Sequence, residues 1–244
     1  MYIKLGSTLL FLSLSISSMA QTKFKPEDTE FYSPKPRIVS VQHNVPSDAI
    51  VLFDGKNLDQ WTSRNDPNQS AGWMVENDIL TVKPGTGDIQ TKHTFEDFQL
   101  HVEWKSPKVI KGNGQGRGNS GIFLQGLYEI QVLDNDDNPT YVNGQAGSIY
   151  KQSPPLVEVR ATDDKWHRYD IVYKAPRFNK DGMLISKGSV TVLHNGVLVQ
   201  NNTPIEGTTE YIGLPKIQAH GAGPIILQDH GDLVSFRNIW IRPL

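Results

Sequence analysis

Polar and apolar residues alternate at every step along Gln99-Leu100-His101-Val102-Glu103-Trp104-Lys105. That is the pattern of a strand with one buried face. Residues 73–76 and 79–82 are two short apolar runs flanking Asn77-Asp78, which predicts a hairpin. Residues 190–194 and 197–199 flank Asn195-Gly196 in the same way. Asn-Gly is the stronger turn signal, because both residues accept positive φ. Further strands are predicted at residues 121–125, 128–133, 167–173, 225–228 and 235–241. No segment predicts a helix of three turns. Strands recur about every ten residues between Gly, Asn, Asp and Pro, the rhythm of a sandwich. The expected fold is all-β: a jelly-roll β-sandwich of two antiparallel sheets. Residues 234–241 are expected to pair near 51–53 and close the sheets. No polar linker interrupts residues 50–244.

The N-terminal region does not follow this rhythm. Lys4, a mostly apolar run over residues 5–16 and Ser18-Met19-Ala20 predict a signal peptide over residues 1–20, cleaved before Gln21. The apolar run is about twelve residues, too short to span a bilayer core. The expectation is an exported protein, periplasmic or extracellular, with no membrane span. Residues 21–47 carry Pro26, Pro34, Pro36 and Pro46 and predict an extended leader on the domain surface. Residues 48–244 then form a single domain. The chain holds 24 Lys and Arg against 26 Asp and Glu, a net charge of −2. It lacks the basic footprint of a nucleic-acid binder. It contains no cysteine, which excludes disulfides, thiolate metal sites and cysteine nucleophiles. The sequence does not set an oligomeric state.

Candidate chemistry concentrates in three places. In Tyr128-Glu129-Ile130-Gln131-Val132-Leu133-Asp134, Glu129 and Gln131 share one face of a strand. A carboxylate beside an amide on an otherwise apolar strand suits a lined cleft, and also a solvated sheet face. The Glu-x-Gln-x-x-Asp spacing is similar to the Glu-x-Asp-x-x-Glu strand of laminarinase-like glycosidases, with the middle acid replaced by Gln131. Upstream, residues 112–121 alternate glycine with polar residues. Arg117 and Asn119 there can hold sugar hydroxyls or a carbonyl oxygen, or belong to a plain surface loop. No Gly-Lys-Ser/Thr ending makes it a phosphate loop. Downstream, Gln228, Asp229, His230 and Asp232 cluster before a glycine turn. His230 suits proton transfer near neutrality. Asp and His together can take a divalent cation or cap a turn. Lys151, after another glycine turn, is a candidate electrostatic partner or an ordinary surface lysine.

These motifs resemble one family. Phe53-Asp54-Gly55-Lys56-Asn57-Leu58-Asp59-Gln60-Trp61 is similar to the opening of the 3-keto-disaccharide hydrolases. Gly118-Asn119-Ser120-Gly121-Ile122-Phe123, residues 128–134, Trp166-His167-Arg168-Tyr169 and Leu227-Gln228-Asp229-His230-Gly231 follow in that family's order, and so do the closing residues 234–244. The resemblance covers about residues 48–244. It implies a concanavalin-like jelly roll and an exported enzyme that cleaves glycosides already oxidised to a ketone at sugar C3.

A 3-keto group acidifies the C2 proton. A base can remove that proton, the C1 substituent can leave, and water can add back. This needs one base, an acid for the leaving oxygen and donors for the enolate, not the paired acids of an ordinary glycosidase. Glu129 and His230 are the candidate base and acid, in either order. Arg117, Asn119, Gln131, Lys151, Gln228 and Asp229 are candidate substrate-binding residues. A divalent cation can replace a basic side chain as the electrophile. A non-catalytic carbohydrate-binding module, an ordinary glycoside hydrolase and a structural surface domain are the competing readings.

Overall fold

A computed structural model describes residues 23–160 and 166–244. The signal peptide expected over residues 1–20, with its cleavage site, lies outside the described residues. The chain divides into two units, one running through Ile38 and the other comprising Val39–Leu244. In the first, Pro26–Thr29 forms a single 3-10 turn, and every described residue is exposed.

The described regular secondary structure of the second unit is strand, apart from single 3-10 turns at Gly114–Gly116 and Val142–Gly144. The larger sheet runs in the order Val197–Pro204, Ser189–His194, His167–Lys174, Phe98–Lys105, Ser235–Pro243, Ile79–Thr81, Met74–Glu76, with Ile50–Phe53 also paired to the closing strand. The smaller sheet runs Tyr128–Val132, Ser120–Leu124, Ile226–Leu227, Ile89–Thr91, Trp61–Ser63. Every pairing in both is antiparallel. Both predicted hairpins form, with Asn77 and Asp78 at φ 51° and 64°, and Asn195 and Gly196 at 52° and 81°. The expected closure also forms: Ile239 faces Phe53 and Ile241 faces Ile50. A bulge between Arg237 and Trp240, with Asn238 at φ 47°, lets the closing strand change partners along its length.

Alternation places one face of each sheet in a shared core. Leu100, Val102 and Trp104 come from the larger sheet, Ile122, Ile130 and Leu227 from the smaller, all fully buried. The opening motif is part of this frame. Leu52, Phe53 and Trp61 are buried, and the Trp61 indole N–H donates to the Leu52 carbonyl at 2.8 Å. Gly55, at φ 94°, sits so close to Asp78 that a Cβ there would strike it. Two buried tyrosines of the larger sheet reach across the core. Tyr169 donates to the Gln131 carbonyl at 2.9 Å, and Tyr173 to the Gln125 side-chain oxygen at 2.7 Å. They tie the hairpin carrying Glu129 to the opposite layer.

Candidate active site

The strand Tyr128–Val132 is buried at all five positions. Tyr128, Ile130 and Val132 face the core, so Glu129 and Gln131 occupy the other face of the smaller sheet. They are nevertheless buried, Glu129 to 4% exposure and Gln131 to 1%. In the hairpin register Gly121 lies opposite Gln131. A Cβ on Gly121 would run into the Glu129 carboxylate, so the glycine makes the space in which that carboxylate sits. Glu129 Oε1 and the Ser120 carbonyl lie 3.0 and 3.1 Å from the Gln131 amide, which donates to both with its NH2 turned toward them. The hydrogen-bond network assigns that orientation. The Glu129 backbone N–H donates to Thr209 Oγ1 at 2.9 Å.

Glu129 and Gln131 belong to a cavity of about 190 Å³ that also receives Asn119, Phe123, Tyr150, Thr209, Tyr211, Gln228 and His230. Neighbouring strands bring these together. Ser120–Leu124 pairs with Tyr128–Val132 on one side and Ile226–Leu227 on the other, so Asn119 and Gln228 emerge beside Glu129. Asn119 is fixed from both ends: its backbone N–H donates to Asp232 at 2.9 Å and its amide to the Gln115 carbonyl at 2.7 Å. The Gln228 side-chain oxygen is buried without a hydrogen-bond partner among the described residues. Such an acceptor costs free energy until a donor reaches it, and a sugar hydroxyl is a donor of the right kind. His230 is exposed at the rim. Tyr150 accepts or donates a 2.5 Å hydrogen bond with Tyr141.

Burial pushes the Glu129 carboxyl up to about 8, with the Asp88 carboxylate adding to the shift. No cation pairs with Glu129 among the described residues, so little opposes the desolvation. Burial likewise raises Tyr150, and its hydrogen bond to Tyr141 adds to the effect. Burial raises Tyr141 as well, so both phenols stay neutral; one donates to the other and the pair keeps one hydroxyl proton to donate elsewhere.

Of the residues expected from sequence, Glu129, Gln131, Asn119, Gln228 and His230 converge on this cavity. Lys151 reaches only its edge: its ammonium donates to the Tyr211 carbonyl at 2.7 Å and lies over the Tyr141 and Tyr211 rings. Arg117 and Asp229 are engaged elsewhere. The Arg117 guanidinium pairs with Asp134 at 2.9 Å and with the Asp136 carbonyl, both partners of the pair being largely buried. The Asp229 carboxylate accepts from the backbone N–H groups of Gly85, Gly87 and Gly231 and so caps two turns. Tyr150, Thr209, Tyr211 and Phe123 were not anticipated; the first three stand on loops or turns with no periodic signal.

Among the described residues three cavities are larger, about 590, 410 and 320 Å³, and the first two share Lys105, Pro107, Arg117 and Asp134 in their walls. The 190 Å³ cavity is the better candidate, because it holds the carboxyl that burial has shifted upward. As for a divalent cation, no three His, Asp or Glu side chains converge to hold one among the described residues. Among the described residues the cavity walls offer only Glu129 and His230 of those types. No helix among the described residues is long and apolar enough to cross a membrane.

Residues 48–242 match the 3-keto-alpha-glucoside-1,2-lyase-like domain family. The chain is similar to a 3-keto-disaccharide hydrolase from Bacteroides thetaiotaomicron, 29% identical over 248 aligned positions that cover 84% of this chain and 82% of that protein. A crystal structure of a candidate glycosyl hydrolase from Parabacteroides distasonis is 52% identical with a TM-score of 0.87, covering 92% of this chain and 99% of that one. A second such structure from the same organism, 22% identical with a TM-score of 0.58 over 80% of this chain and 94% of that one, shares the fold.

Proposed function

The chain belongs to the 3-keto-alpha-glucoside-1,2-lyase-like family, and on that premise we propose that it cleaves glycosides oxidised to a ketone at sugar C3, with Glu129 as the base that removes the C2 proton. The observation that carries this reading is the Glu129 carboxyl buried over Gly121 at the floor of a polar cavity. Glu129 is the only carboxylate among the described residues lining it. Ordinary glycoside hydrolysis uses two. Elimination next to a ketone needs one base, and a base poised near neutrality is the effective kind.

The Glu129 carboxylate takes the proton from C2, and the C2–H electron pair moves into the C2–C3 bond as the C3 carbonyl becomes an enolate. The NH2 groups of Asn119 and Gln228, both on the cavity wall, are the donors we assign to that oxygen. The enolate then collapses: the C3 carbonyl re-forms, a C1–C2 double bond forms, and the C1–O bond breaks with its electron pair on the leaving oxygen. His230, at the rim where that oxygen departs, supplies its proton. Addition of water across C1–C2, hydroxyl to C1 and proton to C2, completes net hydrolysis.

The relatives' names and the family support the substrate class. The direct test is turnover of 3-keto-glucosides against the same glycosides unoxidised. Turnover of the keto substrate alone is expected. Glu129→Gln keeps the size and removes the base, so its rate should fall by about 10²–10⁴-fold. The wild-type kcat/KM should fall toward acid pH, where Glu129, raised by burial to about 8, holds its proton. Equal turnover of unoxidised glycosides, or a wild-type rate in Glu129→Gln, would sink the assignment. We also propose export, on Lys4, the apolar run and Ser18-Met19-Ala20; the mass of protein recovered outside the cytoplasm should correspond to a chain beginning at Gln21.

A further inference from the structure

The cavity of about 190 Å³ is smaller than sites that enclose a whole drug-sized ligand, about 300–1,000 Å³. It has room for one sugar ring. If Glu129 at its floor works on C2 of that ring, the group attached to C1 must lie outside, on the rim. The rim on the Tyr211 side has an unusual surface. Tyr211, Ile212 and Leu214 are 70%, 82% and 83% exposed, and Tyr211 also lines the cavity.

Such exposed apolar side chains on a loop would ordinarily suggest a slack segment, but this one is built. Thr208 N–H donates to the Lys216 carbonyl at 2.9 Å, and Thr209 N–H donates to the Leu127 carbonyl at 2.9 Å. The Lys216 ammonium pairs with Glu210 at 3.2 Å, and Thr208 Oγ1 also donates to Glu210. Gly207 lies so tightly against the Lys216 backbone that a Cβ there would strike it. At the tip, the Lys151 ammonium holds the Tyr211 carbonyl at 2.7 Å and sits 4.8 Å from the centre of its ring. A loop cinched at its base and clamped at its tip presents Tyr211 at little further entropic cost.

We propose that residues 208–216 form the leaving-group subsite, with Tyr211 determining specificity by stacking on a flat aromatic or apolar-faced group carried on C1. This rests on the reading that the cavity binds the keto sugar. A flat ring packed against Tyr211 gains offset-stacking and burial energy that a methyl group cannot. Lys151 is then a positioning residue for the subsite, acting through Tyr211.

The test compares 4-nitrophenyl and methyl 3-keto-glucosides in the full chain. For each protein the aryl-over-methyl ratio of kcat/KM is measured, so that intrinsic leaving ability cancels between variants. Tyr211→Ala should lower that ratio about 3- to 10-fold, the worth of one stacked ring. Tyr211→Phe, which keeps the ring, should retain it. Calorimetric binding of both compounds to Glu129→Gln, with and without Tyr211→Ala, gives a readout independent of turnover. There the aryl compound should bind more tightly, and Tyr211→Ala should erase the preference. An unchanged ratio in Tyr211→Ala, or equal binding of both compounds, would overturn the subsite even if catalysis follows the scheme above. Turnover of neither compound, with a Tyr211-dependent preference in binding, would overturn the reaction and leave the subsite standing.

Discussion

Glu129 carries a proton in the fold that it would not carry in the unfolded chain. Its ordinary value is 4.5, and burial lifts it to about 8. Between these values the folded state binds the extra proton, so stability falls as pH rises through that window. Gln has no proton to lose. Glu129→Gln is therefore expected to gain stability relative to wild type from pH 5 to 8, by at most about 1.4 kcal/mol per pH unit, while losing activity. A difference in Tm between the two that stays flat from pH 5 to 9 would contradict this. The same residue was legible in the sequence through simple alternation with Gln131. Its burial was not, because the cover over that face comes from Thr209, Tyr211 and Tyr150 on segments without periodicity. Arg117 shows the converse. Extending the register that places Val132 opposite Ser120 brings Arg117 near Asp134, so an ion pair was implicit in the hairpin once its turn was known.

The strand Phe98–Lys105 shows how one element carries two kinds of information. Its inward residues fill the core, and its outward residues build a charge network on the opposite face. His101 Nδ1 lies 2.7 Å from Asp170, and Arg237 Nε donates to Glu103 at 2.6 Å. The His101 ring 3.7 Å away holds Glu103 down to about 2, with hydrogen bonds from Asn238 and Arg237 contributing against the cost of burial. Because the folded value lies below the ordinary 4.5, this contribution is complete above pH 4.5 and is lost as pH falls toward 2. Glu103→Gln should accordingly be less stable than wild type at pH 6, with the gap closing toward pH 2 in thermal melts; a gap independent of pH would count against the network. The long strands and both tight hairpins could be read from the chain because alternation and turn chemistry are local. Trp61–Ser63 and Ile89–Thr91 could not, being three residues long and strands only by virtue of pairing with each other and with Ile226–Leu227.

At the scale of the molecule, the site depends on segments brought together by sheet order. Asn119, Glu129 and Gln228 meet because Ser120–Leu124 sits between Tyr128–Val132 and Ile226–Leu227, and the loop with Tyr211 is tied beside them where Thr209 accepts from the Glu129 N–H. The hairpin was readable, and so was a strand at residues 225–228, but the pairing of Ile226–Leu227 with the hairpin's other side was not, since nothing local records which strand lies beside it. What holds this assembly to the larger sheet is partly the pair of tyrosine hydroxyls crossing the core, and they are not equivalent. The Gln131 carbonyl that accepts from Tyr169 also accepts from the Gly147 N–H at 3.0 Å. Removing the Tyr169 hydroxyl leaves that carbonyl satisfied. The Gln125 side-chain oxygen has Tyr173 as its donor, and Gln125 is buried to 3%, so removing that hydroxyl strands a buried acceptor. Losing a hydrogen bond with both ends accommodated costs about 0.5–1.5 kcal/mol, whereas an unsatisfied buried group costs about 1–3 kcal/mol. Tyr173→Phe should therefore destabilise the fold more than Tyr169→Phe in denaturant melts, although both delete one oxygen. The reverse order would mean that the Gln125 amide finds another donor when Tyr173 is cut back, and that the sheets are held together mainly by their apolar faces.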